Sequence, residues 1–115
     1  MFDFSTIEWR ETRHNGVFLN ILRRDEKTCG ATVFIRMQPG CGYPAHLHVG
    51  VEEVLILQGG YRDSNGEHRA GDYIINEAGS AHNPIALEGE DCIMFAIAHE
   101  GIERIEAKII NQNPE

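Results

Sequence analysis

Gly40-Cys41-Gly42-Tyr43-Pro44-Ala45-His46-Leu47-His48-Val49-Gly50-Val51-Glu52-Glu53 is the stretch on which the reading of this 115-residue chain turns. On an extended strand, residues i and i+2 point to one face, so His46 and His48 can offer two imidazole nitrogens to a single ion. A carboxylate after Gly50 and a third histidine, His82, would complete a mixed nitrogen and oxygen shell of the kind zinc, iron, manganese or nickel accepts. On a continuous strand His48 and Glu52 would lie about 13 Å apart, too far to share an ion whose ligand atoms sit about 2 Å from it. The chain must therefore turn at Val49-Gly50-Val51, where glycine accepts backbone angles closed to other residues. The strands on either side are expected to be hairpin neighbours. Spacing alone does not choose between Glu52 and Glu53. Adjacent strand residues face opposite sides, so only one of them can join the histidines, and the run Val54-Leu55-Ile56-Leu57 is apolar on both faces.

Outward from this stretch, short apolar or alternating runs are broken by Gly, Asn and Asp at close intervals, the pattern of an all-β sandwich or barrel. Strands are expected at Glu8 to Arg13, Val17 to Leu22, Ala31 to Met37, His46 to His48, Glu52 to Leu57, Tyr73 to Asn76 and Cys92 to Ala98. His14-Asn15-Gly16 and Asp63-Ser64-Asn65-Gly66 supply hairpin turns, because Asn and Gly tolerate positive φ. Pro39-Gly40, Gly59-Gly60 and Gly71-Asp72 supply further breaks. His82 falls in the turn Gly79 to Pro84 and has to fold back towards the first pair. The tail Ile102 to Ile110 fits a helix or a polar-edged strand, and both stay open. Residues 1–115 form one domain, with no repeat, low-complexity tract or linker.

Eighteen acidic residues against ten basic ones give a formal charge of −8, and Arg23-Arg24 is followed at once by Asp25-Glu26. A nucleic-acid backbone would be repelled. Three cysteines without a C-x-x-C pair, and a start lacking a basic segment and an apolar run, point away from a signal peptide or membrane span and towards a reducing cytoplasm.

On two motifs the chain resembles the cupin superfamily of small β-barrels. The first, G-x5-H-x-H-x(3,4)-E-x6-G, spans about 40–59 and is matched by Gly40, His46, His48, Glu52 and Gly59. The second, G-x5-P-x-G-x2-H-x3-N, begins at Gly71 and is matched by Gly79 and His82, with Glu77 in place of the proline and Ala86 in place of the asparagine. The layout from Trp9 to about Ala98, including EEVLILQGGYRDSNGEHRAGDYIINEAGSAHNP (Glu52 to Pro84), is similar to the ChrR-like cupins, zinc-binding domains at the C-terminal end of certain anti-sigma factors. The resemblance implies an RmlC-like jelly roll, or double-stranded β-helix. It also implies one divalent metal ion held by His46, His48, Glu52 and His82, the glutamate being the first of the pair. A first strand near Glu8 leaves no room for the separate helical domain of a ChrR-type regulator, so the expectation is a stand-alone cupin.

The remaining residues get plainer readings. His14, His68 and His99 sit in polar, turn-like settings without an evident partner. Cys41 is read as a packed residue rather than a soft ligand or redox-sensitive thiol. Tyr43 and Asn83 are candidates for hydrogen bonds to a substrate or to a ligand histidine. The two-sided apolar run Val54 to Leu57 suits barrel core, with its outer face as a homodimer interface. No residue stands out as a general base. The expected activity is that of a small-molecule metalloenzyme, oxygen-dependent and dioxygenase-like. The alternative is a non-catalytic zinc-binding, ligand-sensing regulatory domain, and a metal-free carbohydrate or small-ligand binder is a third possibility.

Overall fold

The structure, a computed structural model, describes residues 3–104. After a 3-10 turn at Phe4–Thr6 come twelve strands: β1 (Arg10–Glu11), β2 (Val17–Asp25), β3 (Gly30–Met37), β4 (His46–His48), β5 (Glu52–Gln58), β6 (Gly60–Asp63), β7 (Gly66–Arg69), β8 (Tyr73–Asn76), β9 (Ala81–His82), β10 (Ile85–Ala86), β11 (Cys92–Ala98) and β12 (Ile102–Arg104). They make one six-stranded sheet, in the order β1-β2-β3-β11-β5-β8, and two three-stranded sheets, β10-β6-β7 and β12-β4-β9. This is the all-β cupin jelly roll that the resemblance implies, although the three sheets are not joined by hydrogen bonds into a closed barrel. Among the described residues no helix is long and apolar enough to cross a membrane.

Period-2 burial builds the interior. β5 buries Val54 and Ile56 and leaves Leu55 exposed, and the antiparallel register sets Met94 opposite Ile35 and Ile56, and Ala96 opposite Val33 and Val54. These residues join Val17, Met37, Tyr61, Ala86 and Cys92 in one core. Ala86, which stands where the second motif has asparagine, is fully buried. Its amide donates to the Cys41 carbonyl at 2.9 Å and its carbonyl accepts from the Gly40 amide at 3.0 Å, so the backbone does the tethering. The turn at His14-Asn15-Gly16 closes the β1-β2 hairpin, with Gly16 at φ 74°.

Three expectations need correction. First, β4 and β5 are not hairpin neighbours: β4 pairs with β9 and β12, whereas β5 pairs with β11 and β8. Val49 to Val51 instead carries the chain from one sheet to another, and the two motifs meet by facing each other rather than through a shared ladder. Gly50 is needed there for space, not for its backbone angle. It is not among the glycines with positive φ, but a Cβ on it would lie 2.6 Å from Glu100 Oε1 and 2.9 Å from Glu100 Cβ. Second, His82 lies on strand β9 rather than in a turn. Third, the hairpin turn expected at Asp63-Ser64-Asn65-Gly66 is present, but the polar segments on either side of it, absent from the expected strands, are β6 and β7, paired from Gly60↔Arg69 to Asp63↔Gly66. They contain few branched residues, so tertiary pairing and not propensity extends them. Of the tail, Ile102–Arg104 is strand; the rest of Ile102 to Ile110 lies outside the described residues.

Candidate metal centre

His46 and His48 project from one face of β4, and the register places His82 of β9 directly opposite His46. The three imidazoles form a nearly equilateral triangle with ring centroids 4.9, 4.7 and 4.8 Å apart. Glu52, at the start of β5 on the six-stranded sheet, faces this triangle with Oε1 3.1 Å from His48 Nε2. One donor atom from each of the four residues falls within 4.8 Å of every other. Donors about 2 Å from a common ion stand roughly 3–4 Å apart, so a small contraction suffices to bind one.

The tautomers follow from the partners. His46 Nδ1 lies 3.0 Å from the Pro44 carbonyl, His48 Nδ1 3.1 Å from the Ser80 carbonyl, and His82 Nδ1 2.9 Å from Asp63 Oδ2. Carbonyl oxygens and a carboxylate only accept, so each Nδ1 carries a proton and donates it. In a neutral ring Nε2 is then the lone pair left for an ion. The clearest case is His48 Nε2, which is fully buried with no hydrogen-bond partner although a carboxylate oxygen is 3.1 Å away. A lone pair facing an anion in a dry site is repulsive unless a cation lies between them, and a divalent ion fits this donor set in both charge and ligand type.

Protonation states agree with this reading. Burial pushes the His46 imidazolium down to about 4 and also lowers His82, despite the opposing Asp63 bond, so both rings are neutral at pH 7, as ligation requires. Asn76 Nδ2 donates to Glu52 Oε1 at 3.0 Å and fixes its rotamer. Glu53 points to the other side of the sheet, where Tyr73 Oη donates to it at 2.5 Å and His99 Nε2 lies 2.6 Å away.

Several other residues depart from their sequence reading. In the sequence Asp63 reads only as a turn residue, yet its side chain is buried and spans His82 and His68, the latter at 3.1 Å. Its signal was the pairing of an acid with Ser64-Asn65-Gly66, which reads as turn chemistry and hides the second role. His68 and His99 are partnered, by Asp63 and Glu53. Cys41 stands outside the cluster, packed so closely on Gly16 that a Cβ there would meet its Sγ at 2.4 Å. Tyr43 packs edge-on against His46 at 5.4 Å. Asn83 is exposed and does not line the interior cavity.

That cavity has a volume of about 310 Å3. It reaches His46, Glu52 and His82, and its walls include Val33, Ile35, Val54, Met94 and Ala96.

The model of the ChrR cupin-like domain family matches residues 1–100. The anti-sigma-E factor ChrR of Cereibacter sphaeroides is 36% identical over 90 residues, covering 78% of this chain and 41% of that protein; the chain thus spans about two-fifths of this curated relative. The crystal structure of Rhodobacter sphaeroides SigE in complex with the anti-sigma ChrR aligns with TM-score 0.73 and 32% identity, over 84% of this chain and 50% of the matched one. An acetylacetone dioxygenase from Acinetobacter johnsonii aligns with TM-score 0.73 at 15% identity, over 85% and 72% of the two chains, a likeness of fold alone.

Two substitution pairs test the centre. Glu52→Gln is expected to lose most bound metal in elemental analysis, whereas Glu53→Gln keeps it; the opposite pattern would reverse the assignment of the two faces. Asp63→Ala, which frees the His82 ring, is expected to weaken metal affinity by about ten- to a hundredfold in a competition titration with a chromogenic chelator. His68→Gln, which leaves the Asp63–His82 bond in place, should stay close to wild type.

Proposed function

Because this chain belongs to the ChrR cupin-like domain family, we propose that it is a mononuclear metal cupin which admits a small organic molecule to its ion and acts on it in an oxygen-dependent, dioxygenase-like reaction. The observation that carries this reading is the cavity of about 310 Å3 opening on to three of the four donor residues. Such a volume lies at the lower end of small-molecule sites, and apolar walls with a few convergent polar groups are their usual construction. His46, His48, His82 and Glu52 would hold the ion. When bound, a divalent ion supplies a Lewis acid and, if redox-active like iron, a centre for chemistry with dioxygen.

The chain's own part is positional. The Pro44 and Ser80 carbonyls and Asp63 fix the imidazoles, Tyr43 packs against one flank of His46, and the apolar walls exclude water around the ligand's body. His48, 1% exposed, is the donor farthest from solvent and leaves the approach to the other three.

A second reading, a zinc-binding ligand-sensing regulatory domain, is favoured by the 36% identity to an anti-sigma factor. The two separate on turnover. Iron(II)-loaded protein is expected to consume oxygen in the presence of β-dicarbonyl or aromatic ketone substrates, and zinc-loaded protein is not, as followed with an oxygen electrode. No uptake across the panel, with tightly held native zinc in protein purified without a polyhistidine tag, would favour the regulatory reading.

The surroundings complete the proposal. Three free cysteines, Cys29, Cys41 and Cys92, fit a reducing cytoplasm. On the outer face of the six-stranded sheet Leu55, Tyr73 and Ile75 are 38%, 57% and 48% exposed, and paired register places Leu55 beside Tyr73. A patch of this kind supports a homodimer. Light scattering at micromolar concentration is expected to give twice the chain mass, and Ile75→Glu to shift it to one chain; a wild-type monomer would contradict the assembly.

A further inference from the structure

The inner face of the large sheet is arranged in rows by strand register, and one row runs from Arg24 on β2 through Ala31 on β3 and Ala98 on β11 to Glu52 on β5. Arg24 reaches this face through an irregularity. Leu19 and Ile21 line the cavity, and strict alternation would bring Arg23 in next and send Arg24 outwards. The β2-β3 register instead shifts between Ile21 and Arg23, with Leu22 inserted and 51% exposed. A bulge of this kind re-aims the side chains beyond it. Arg23 turns to Asp25 at 3.8 Å on the surface, and Arg24 lines the cavity.

Arg24 is the one arginine or lysine among the residues lining the cavity, and Glu52 the one acid. Arg23, Arg36 and Arg69 each have a carboxylate partner; Arg24, like Arg10, Arg13 and Arg62, has none among the described residues. Between Arg24 and Glu52 the row carries only two alanines, so its floor is low and apolar. Three strand spacings put the two backbones about 14 Å apart, a span both side chains shorten. A guanidinium bordering an apolar hollow matches a carboxylate, which it can bind through two parallel hydrogen bonds.

We propose that the ligand of this cavity is a small amphiphilic carboxylate, its anionic group bound by Arg24 at one end of the cavity and its apolar body lying over Ala31 and Ala98 towards His46, Glu52 and His82. This rests on the cavity being a ligand site, as proposed above, and not on turnover or on which metal is native. Specificity then follows: a net charge of −8 disfavours anions generally, and Arg24 selects those with an apolar tail long enough to fill the row.

Calorimetric titration of the full chain, zinc-loaded, with octanoate and with octanamide tests this. Wild type is expected to bind octanoate more tightly than octanamide. Arg24→Met, which keeps the apolar stem, should weaken octanoate about ten- to a hundredfold and leave octanamide unchanged, the amide serving as the check that the cavity is intact. Arg23→Met should change neither. Equal binding of the two probes to wild type, binding of neither, or octanoate affinity that survives Arg24→Met would overturn the proposal. Repeating the titration after chelation separates it from the metal reading. Octanoate binding that survives Arg24→Met but disappears with the metal assigns the carboxylate to the ion, which overturns the role of Arg24 and leaves the metal centre standing. An Arg24-dependent preference that persists without metal supports Arg24 even if the metal reading fails.

Discussion

Three Nδ1–H groups fastened to acceptors that cannot donate are the constraint on which the site depends. The Pro44 and Ser80 carbonyls and the Asp63 carboxylate leave His46, His48 and His82 a single tautomer each, with the Nε2 lone pair free for an ion. The acceptors come from separate parts of the chain: the loop before β4, the turn before β9, and the end of β6. The turn is itself tied to β4, since the Gly79 amide donates to the His48 carbonyl at 2.7 Å and the His48 amide to the Ser80 carbonyl at 2.8 Å. Sheet pairing and ligand orientation are thus one network.

Such a network works against folding when it is left unsatisfied. Three neutral imidazoles and a carboxylate held with their lone pairs together in a buried site repel one another, and His48 Nε2 has no hydrogen bond to relieve it. An ion bound only by the folded chain adds its binding free energy to stability, which couples metal occupancy to the relation between the β4 and β5 sheets. The rest of the interior is conventional apolar packing.

How much of this the sequence carried depends on whether a feature is local. The bounds of β4, β8 and β11 were readable because each is a short β-prone run between Gly, Pro or Asp breaks. His46 and His48 were readable together because period 2 fixes their common face. Other features belong to tertiary geometry. Val49 to Val51 looks like a hairpin connection in any local reading, and only the pairing of β5 with β11 and β8 makes it a crossing between sheets. Glu52 and Glu53 are equivalent in a run that is apolar on both faces, so the choice needed a family resemblance before the backbone displayed the two directions. Asp63 was hidden because Asp63-Ser64-Asn65-Gly66 is fully accounted for as a turn. Arg24 was hidden because a bulge, invisible in composition, reverses the alternation of β2.

An ion held here would be surrounded by three imidazoles bound through Nε2 and one carboxylate, with Cys41 and the other thiols outside. X-ray absorption fine structure of the metal-loaded protein reads this shell directly. With zinc, scattering is predicted from nitrogen and oxygen alone at about 2.0–2.2 Å, with the outer-shell pattern of three imidazoles. A sulfur distance near 2.3 Å, or a pattern of fewer than three imidazoles, would contradict it.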